Sequence, residues 1–384
     1  MANNNDDGPC VLLHCDFPVE DRLYSLHLST THDHTNIQTV SRLSFPVSSK
    51  FVVLGSCNGL LYLQDSVNKD QSYIYNPFTR DCVKIPKPGE ISNQHRVAVG
   101  FGLHSITKEY KVVRIVYSRN NEDLASTETE TSRKRETTEV ENCETIISMR
   151  ADHKFKVSEF TEAFSETKAL PQGRLRKYSL PQSEVQVLTL GGGNLTWRSK
   201  GEACNYQLLG KPSEALVNGK LHWLSCRYRQ QTLRKLISFD LEDEQFREVP
   251  NPCPHTFGRH CSHLVTIRGC LAAVIQGFRS IYIWIMKEYG VQESWSKELS
   301  LRVVQLDQSV NNFPKFSLSQ AKVLCALKNG EVLIKLRCKN LVCYDPKSGE
   351  FKELNVQELP ESLNTFVHLT SLNWIDTPIR SQDS

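Results

Sequence analysis

Three observations predict an all-β, propeller-like array of about six to seven four-stranded blades interrupted by one long polar insert. First, a phrase recurs: an Asn-Gly pair opens an apolar run, and a later run ends in Asn or Asp. A Cys or Phe follows six residues on, and an aliphatic three after that. Second, the runs between these turns alternate or stay apolar over strand lengths rather than repeating at helical spacing. Third, about 320 ordered residues at roughly 40–50 per repeat give six or seven units.

Each part of the phrase has a physical role. The first copy has Asn58-Gly59, Tyr73-Ile74-Tyr75-Asn76-Pro77, Cys82 and Ile85; the second has Asn218-Gly219, Ile237-Ser238-Phe239-Asp240, Phe246 and Val249. The third has Asn329-Gly330, Val342-Cys343-Tyr344-Asp345-Pro346, Phe351 and Leu354, and a degraded fourth begins at Arg268-Gly269 and includes Ile281 to Trp284. Asn-Gly tolerates the positive φ angles of a tight hairpin turn. The proline after Asn or Asp lacks a donor for the strand ladder and ends the strand. One unit supplies about four short strands, the content of one propeller blade.

In order along the chain, residues 1–9 are expected to be disordered, and Val11–His14 with Leu23–Leu28 read as a first strand pair. The first full unit runs from 51 to 88, followed by strands at 97–102 and 110–117. A composition break comes next. Residues 120–144 carry eight acidic and three basic residues among Thr, Ser and Asn, so 119–182 reads as a polar, largely disordered insert between two strands. Phe155, Phe160 and Phe164 are spaced for a short helix within it. Strands resume at 185–190. Trp197 and Trp295 each follow a strand and a turn, and are expected to wedge between blades. The last strand, from 366 to 374, is expected to pair with an N-terminal strand and close the ring. The propeller domain thus covers 10–376, with 377–384 disordered.

Composition narrows the function. The 384 residues carry 46 basic and 43 acidic groups, a net charge of +3 that predicts neither nucleic-acid nor membrane binding. The first residues lack a signal-peptide pattern and no apolar run has membrane-spanning length, so a cytoplasmic or nuclear protein is expected. Thirteen cysteines without a spacing framework read as reduced thiols, several of them core residues within strands.

The phrases Gly55-Ser56-Cys57-Asn58-Gly59-Leu60, Tyr75-Asn76-Pro77-Phe78-Thr79, Gly100-Phe101-Gly102 and Thr107-Lys108-Glu109-Tyr110-Lys111-Val112 resemble the F-box-associated β-propeller-type domain of plant F-box proteins. So do Ser213 to Gly219, Ser238-Phe239-Asp240-Leu241, and Ile283 to Met286 through Tyr289-Gly290-Val291. The resemblance implies a substrate receptor of an SCF-type E3 ubiquitin ligase, in which the propeller binds a target protein and other subunits perform the chemistry. No stretch matches the helical F-box itself. The resemblance therefore implies a Skp-type adaptor and cullin as partners only of a longer form that carries one.

No catalytic residue, metal site or cofactor is expected. Cys253, His255, His260, Cys261, His263 and Cys270 are the densest set of metal-ligating types, but they lack a Cys-x2-Cys knuckle. A carbohydrate-binding propeller and a metal-dependent enzyme are the alternatives. The candidate partner-binding residues are Arg227, Tyr228 and Arg229 in one loop and Phe257 and Arg259 in another, since aromatic and Arg anchors carry most interface energy.

Overall fold

The computed structural model describes residues 10–17, 22–30, 35–43, 51–89, 94–118, 182–191, 195–202, 207–208, 212–213, 215–225, 234–277, 280–302, 321–336, 340–354 and 362–368. They form six four-stranded antiparallel blades in a ring. Blade 2 comprises β4 (Phe51–Cys57), β5 (Leu60–Asp65), β6 (Ser72–Tyr75) and β7 (Cys82–Ile85). Blade 3 comprises β8 (Gln94–Leu103), β9 (Tyr110–Ser118), β10 (Gln182–Leu190) and β11 (Trp197–Ser199). Blade 4 is β12 (Ala215–Val217), β13 (Lys220–Leu224), β14 (Leu236–Asp240) and β15 (Phe246–Val249). Blade 5 is β16 (Cys261–Ile267), β17 (Cys270–Gln276), β18 (Ser280–Met286) and β19 (Trp295–Arg302). Blade 6 is β20 (Lys322–Ala326), β21 (Val332–Leu336), β22 (Asn340–Tyr344) and β23 (Phe351–Leu354). The first strand of each lies innermost and touches blade neighbours on both sides.

Blade 1 joins the two ends of the chain. β24 (Ser362–His368) pairs with β1 (Cys10–Phe17), which pairs with β2 (Arg22–Thr30) and then β3 (Thr35–Leu43). The described part of the closing strand starts at Ser362, before the 366 expected from sequence, and residues 369–374 of the expected strand lie outside the described residues. Closure of this kind leaves no open inner edge.

Strand periodicity explains why nearly every position is apolar. Successive side chains point to opposite faces, and both faces of each blade meet a neighbour. On β5, Leu60 and Tyr62 enter the seam with blade 3, while Leu61 and Leu63 enter the seam with blade 1. On β21, Val332, Ile334 and Leu336 face blade 5, and Leu333 faces blade 1. Among the described residues, the seam between blades 1 and 2 buries eight apolar side chains. At about 1.5–3 kcal/mol each, that is on the order of 12–24 kcal/mol of gross transfer energy. Single polar links are worth about 1 kcal/mol, so packing holds the ring and polar groups set its register.

The recurring phrase maps onto two turns. Asn58-Gly59, Asn218-Gly219 and Arg268-Gly269 all have positive φ at both positions, the mirror-image two-residue hairpin. Asn329-Gly330 departs from this: only Gly330 is positive (φ 93), and its N–H closes a turn on Leu327 O at 3.0 Å, giving a longer loop. The Asn or Asp ending the third strand caps a four-residue turn. Asn76 Oδ1 accepts the N–H groups of Phe78 and Thr79, and Asp345 accepts those of Lys347 and Ser348. Asp240 accepts that of Glu242. In blade 3 the same turn joins β8 to β9, and His104 Nδ1 takes the place of the carboxylate or amide.

The tryptophans link blades as expected. Trp197, opening β11, donates Nε1–H to Pro86 O of blade 2 at 2.8 Å, and Trp295, opening β19, donates to Pro250 O of blade 4 at 2.8 Å. Inner strands are stitched too. Ser56 Oγ lies 3.0 Å from His368 Nδ1, Ser213 N donates to Val99 O, and Thr266 Oγ1 donates to Leu216 O. The expected insert of 119–182 and its helix at Phe155, Phe160 and Phe164 lie outside the described residues, as do both termini, except that Gln182 opens β10. Ser118 and Gln182, which flank that stretch, are paired neighbours on β9 and β10.

Candidate functional site

Antiparallel blades give the ring two unlike faces. One carries the turns between first and second and between third and fourth strands. Among the described residues most of these turns are short and capped, the longest being 287–294 between β18 and β19. The other carries the links between second and third strands and the crossings from blade to blade. Their lengths vary, and variable connections on a rigid scaffold are where propellers of any origin vary their function.

Of the predicted partner-binding residues, Phe257 and Arg259 lie on one of the blade-to-blade connections. Arg227, Tyr228 and Arg229 lie outside the described residues, in the link between β13 and β14. The link from blade 4 to blade 5 is not a loop, as read from sequence, but a short helix, α1 (Pro254–His260), with proline in its first turn. Helical winding turns Phe257 inward. It is fully buried in the seam of blades 4 and 5 with Val249, Cys261 and Leu264, which gives it a packing role and removes it from the exposed anchors. Arg259 lies on the same helix. Arg234, just after the 226–233 link, joins the two predicted regions: its N–H donates to Gly258 O at 3.0 Å and its Nη1 to Cys261 O at 2.9 Å.

The metal-ligating residue types do not converge. Cys261 opens β16 and is buried, whereas Cys270 lies beyond the far end of that strand. Six steps along a strand separate the two ends of β16 by about 20 Å. His263 is engaged with the blade 6 backbone, accepting or donating at Val323. Among the described residues no group of three or more His, Cys, Asp or Glu is placed to hold a metal. Burial pushes the thiols of Cys57, Cys261 and Cys325 up to about 12, so at neutral pH they are protonated apolar groups.

Two polar clusters were invisible in the sequence, because their members are far apart in it. The first fastens blade 3 to blade 4. Glu244, at φ 58 in the β14–β15 turn, accepts from Lys111 Nζ at 2.9 Å, Arg198 Nη2 at 2.7 Å and Lys200 Nζ at 3.0 Å. Burial alone would raise its carboxyl, but the bonds from Arg198, Lys111 and Lys200 outweigh that and hold it at about 2. The second surrounds Arg114 at the seam of blades 2 and 3. Burial also pulls the His222 imidazole down to about 4, leaving it neutral against the Tyr289 hydroxyl at 2.8 Å.

A closed six-bladed ring without a convergent catalytic set among its described residues defines a β-propeller scaffold whose variable face is its connections. The F-box associated beta propeller domain family matches residues 12–140 and 151–376, and the chain belongs to that family. It is 37% identical over 392 residues to F-box protein At3g07870 of Arabidopsis thaliana, covering 98% of this chain and 83% of that one. It is 24% identical over 362 residues to F-box protein CPR1 of the same plant, covering 91% and 74%. Among solved structures, TolB from Acinetobacter baumannii aligns over 94% of this chain and 66% of its own at 9% identity and a TM-score of 0.40, too remote to carry an argument. No helix among the described residues is long and apolar enough to cross a membrane.

Proposed function

We propose that this chain is the target-binding part of an SCF-type ubiquitin ligase, in the cytoplasm or nucleus, and performs no chemistry itself. The observation that carries this reading is the match to F-box proteins along nearly the whole chain. A form that carries an F-box would engage a Skp-type adaptor and a cullin; ubiquitin transfer then belongs to the other subunits. The ring's contribution is rigidity: six packed seams hold the connection face fixed, so a target pays little ordering cost on the receptor side.

The proposed contacts are Arg227, Tyr228 and Arg229 with Arg259, backed by the buried Phe257. Arginine and tyrosine supply fork hydrogen bonds and rigid apolar area, the combination that dominates interface energy. The test is affinity capture from plant extract with the wild-type chain and with a variant carrying Ala at Arg227, Tyr228, Arg229 and Arg259. The reading expects specific proteins to be lost from the variant's eluate while its folding is unchanged. Identical capture by both chains would refute the assignment of the face.

A further inference from the structure

Among the described residues, Arg114 is a buried charge without a counterion. β9 carries it into the seam of blades 2 and 3, where it is 8% exposed. Directly opposite on β10 stands Gln186, whose Oε1 accepts from Arg114 Nη1 at 2.6 Å. The ring of Trp197 lies over the guanidinium, 5.7 Å from its centroid. No carboxylate among the described residues forms an ion pair with it. Among the described residues, the carboxylate whose charge acts on it is that of Asp70, which is already paired with Lys87 at 2.9 Å. Lys111, three residues earlier on the same strand, shows the contrast: its buried ammonium meets Glu244.

The surroundings are built and held. Gln186 Nε2 donates to Gly89 O at 3.3 Å, and Trp197 Nε1 to Pro86 O at 2.8 Å. The strap from Pro86 to Gly89 is thereby pinned on both sides of the guanidinium. Among the described residues Arg114 Nε and Nη2 have no acceptor, and neither is among the sealed, unpartnered polar atoms. A guanidinium never deprotonates in a protein, and burying a cation without a partner is costly. An incompletely satisfied buried group of this kind calls for an explanation, a functional role or a bound ion among them.

We propose that Arg114, framed by Gln186 and Trp197, is an oxyanion pocket that takes a carboxylate or phosphate presented by a partner polypeptide. The open nitrogens form a planar fork matched to two oxygens of either group. This names a determinant of the partner, and so rests on the receptor reading above.

The experiment uses the full chain and three short synthetic peptides that differ only at a central Glu, phosphoserine or Gln. Thermal unfolding midpoints are followed against peptide concentration. The Glu or the phosphoserine peptide, whichever matches the natural anion, raises the midpoint saturably, and the Gln peptide does not. Arg114→Gln weakens that binding about tenfold or more, the size of a lost charge-assisted bond. Without peptide, Arg114→Gln unfolds no more readily than wild type, because an unpaired charge has been removed. Gln186→Glu is the second variant and leaves Arg114 in place. It supplies an internal carboxylate, so it raises the midpoint and abolishes the peptide response. No shift with either anionic peptide, or an undiminished response in Gln186→Glu, overturns the proposal. Target capture that survives Arg114→Gln alongside absent peptide binding sinks the pocket alone; Arg114-dependent peptide binding in a chain that captures no target sinks the receptor reading alone.

Discussion

Replacing Glu244 by Gln removes one negative charge from beneath three positive ones, and the structure shows where the cost falls. Arg198 and Lys200 keep 47% and 34% of their side-chain surface exposed and can turn to water. Their pairs are therefore worth little, about 0–1 kcal/mol each. Lys111 is different: its side chain is 8% exposed, and without the carboxylate it keeps only Leu241 O, at 2.6 Å. Removing one partner of a buried pair costs about 3–5 kcal/mol, and because the Gln oxygen still accepts one bond the lower end applies. Urea unfolding at pH 7, followed by circular dichroism, should show a loss of about 3 kcal/mol. The pH dependence has a fixed sign. The folded carboxyl sits at about 2 and the unfolded one at its ordinary 4.5. The unfolded chain binds the proton first on acidification, so this stabilisation is complete above pH 4.5 and is lost as pH falls towards 2. The gap between wild type and Glu244→Gln should close over that window. Adding Lys111→Met should restore most of the loss, because no buried charge then remains unpaired. A Glu244→Gln protein within about 0.5 kcal/mol of wild type at pH 7, typical of an ordinary surface substitution, would refute the reasoning.

Three further outcomes follow from the packing. Trp197→Phe and Trp295→Phe each remove an indole bond to a proline carbonyl and should cost about 1 kcal/mol apiece in urea unfolding, adding nearly linearly because they lie in different seams. Gly100→Ala should destabilise by about 1–3 kcal/mol, since its Cβ would fall 2.6 Å from Leu221 Cδ1 and 2.8 Å from the Trp223 ring; an unchanged melting midpoint would contradict that. In the native protein, Cys57, Cys261 and Cys325 should resist a thiol reagent at pH 8 and react only on unfolding, as mass spectrometry of labelled peptides would report.

The sequence made the blades legible because the physics that builds them is local. An Asn-Gly pair needs only its own two φ angles, and Asn76 or Asp345 caps a turn two and three residues away. Where a different residue does the same work, the pattern fades, as with His104 in the blade 3 turn. The helix at Pro254–His260 was missed because seven residues that include Gly258 show no helical periodicity; its purpose is to bury Phe257, a tertiary demand. Glu244 with Lys111, Arg198 and Lys200 could not be read at all. Those partners meet only once blades 3 and 4 stand side by side, and Arg114 meets Gln186 and Trp197 only once the strands of blade 3 have paired. Blade 1 was half legible: its N-terminal strand pair and its C-terminal partner were read, while the start of the closing strand at Ser362 is set by pairing with β1.

The receptor reading is tested most directly by target lifetime in plant cells. A protein captured by the wild-type chain, but not by the Arg227, Tyr228, Arg229 and Arg259 alanine variant, is followed after synthesis is blocked. The account predicts that its half-life lengthens when this chain is removed and is restored by the wild-type chain but not by the variant. A half-life that is the same in all three backgrounds would contradict it.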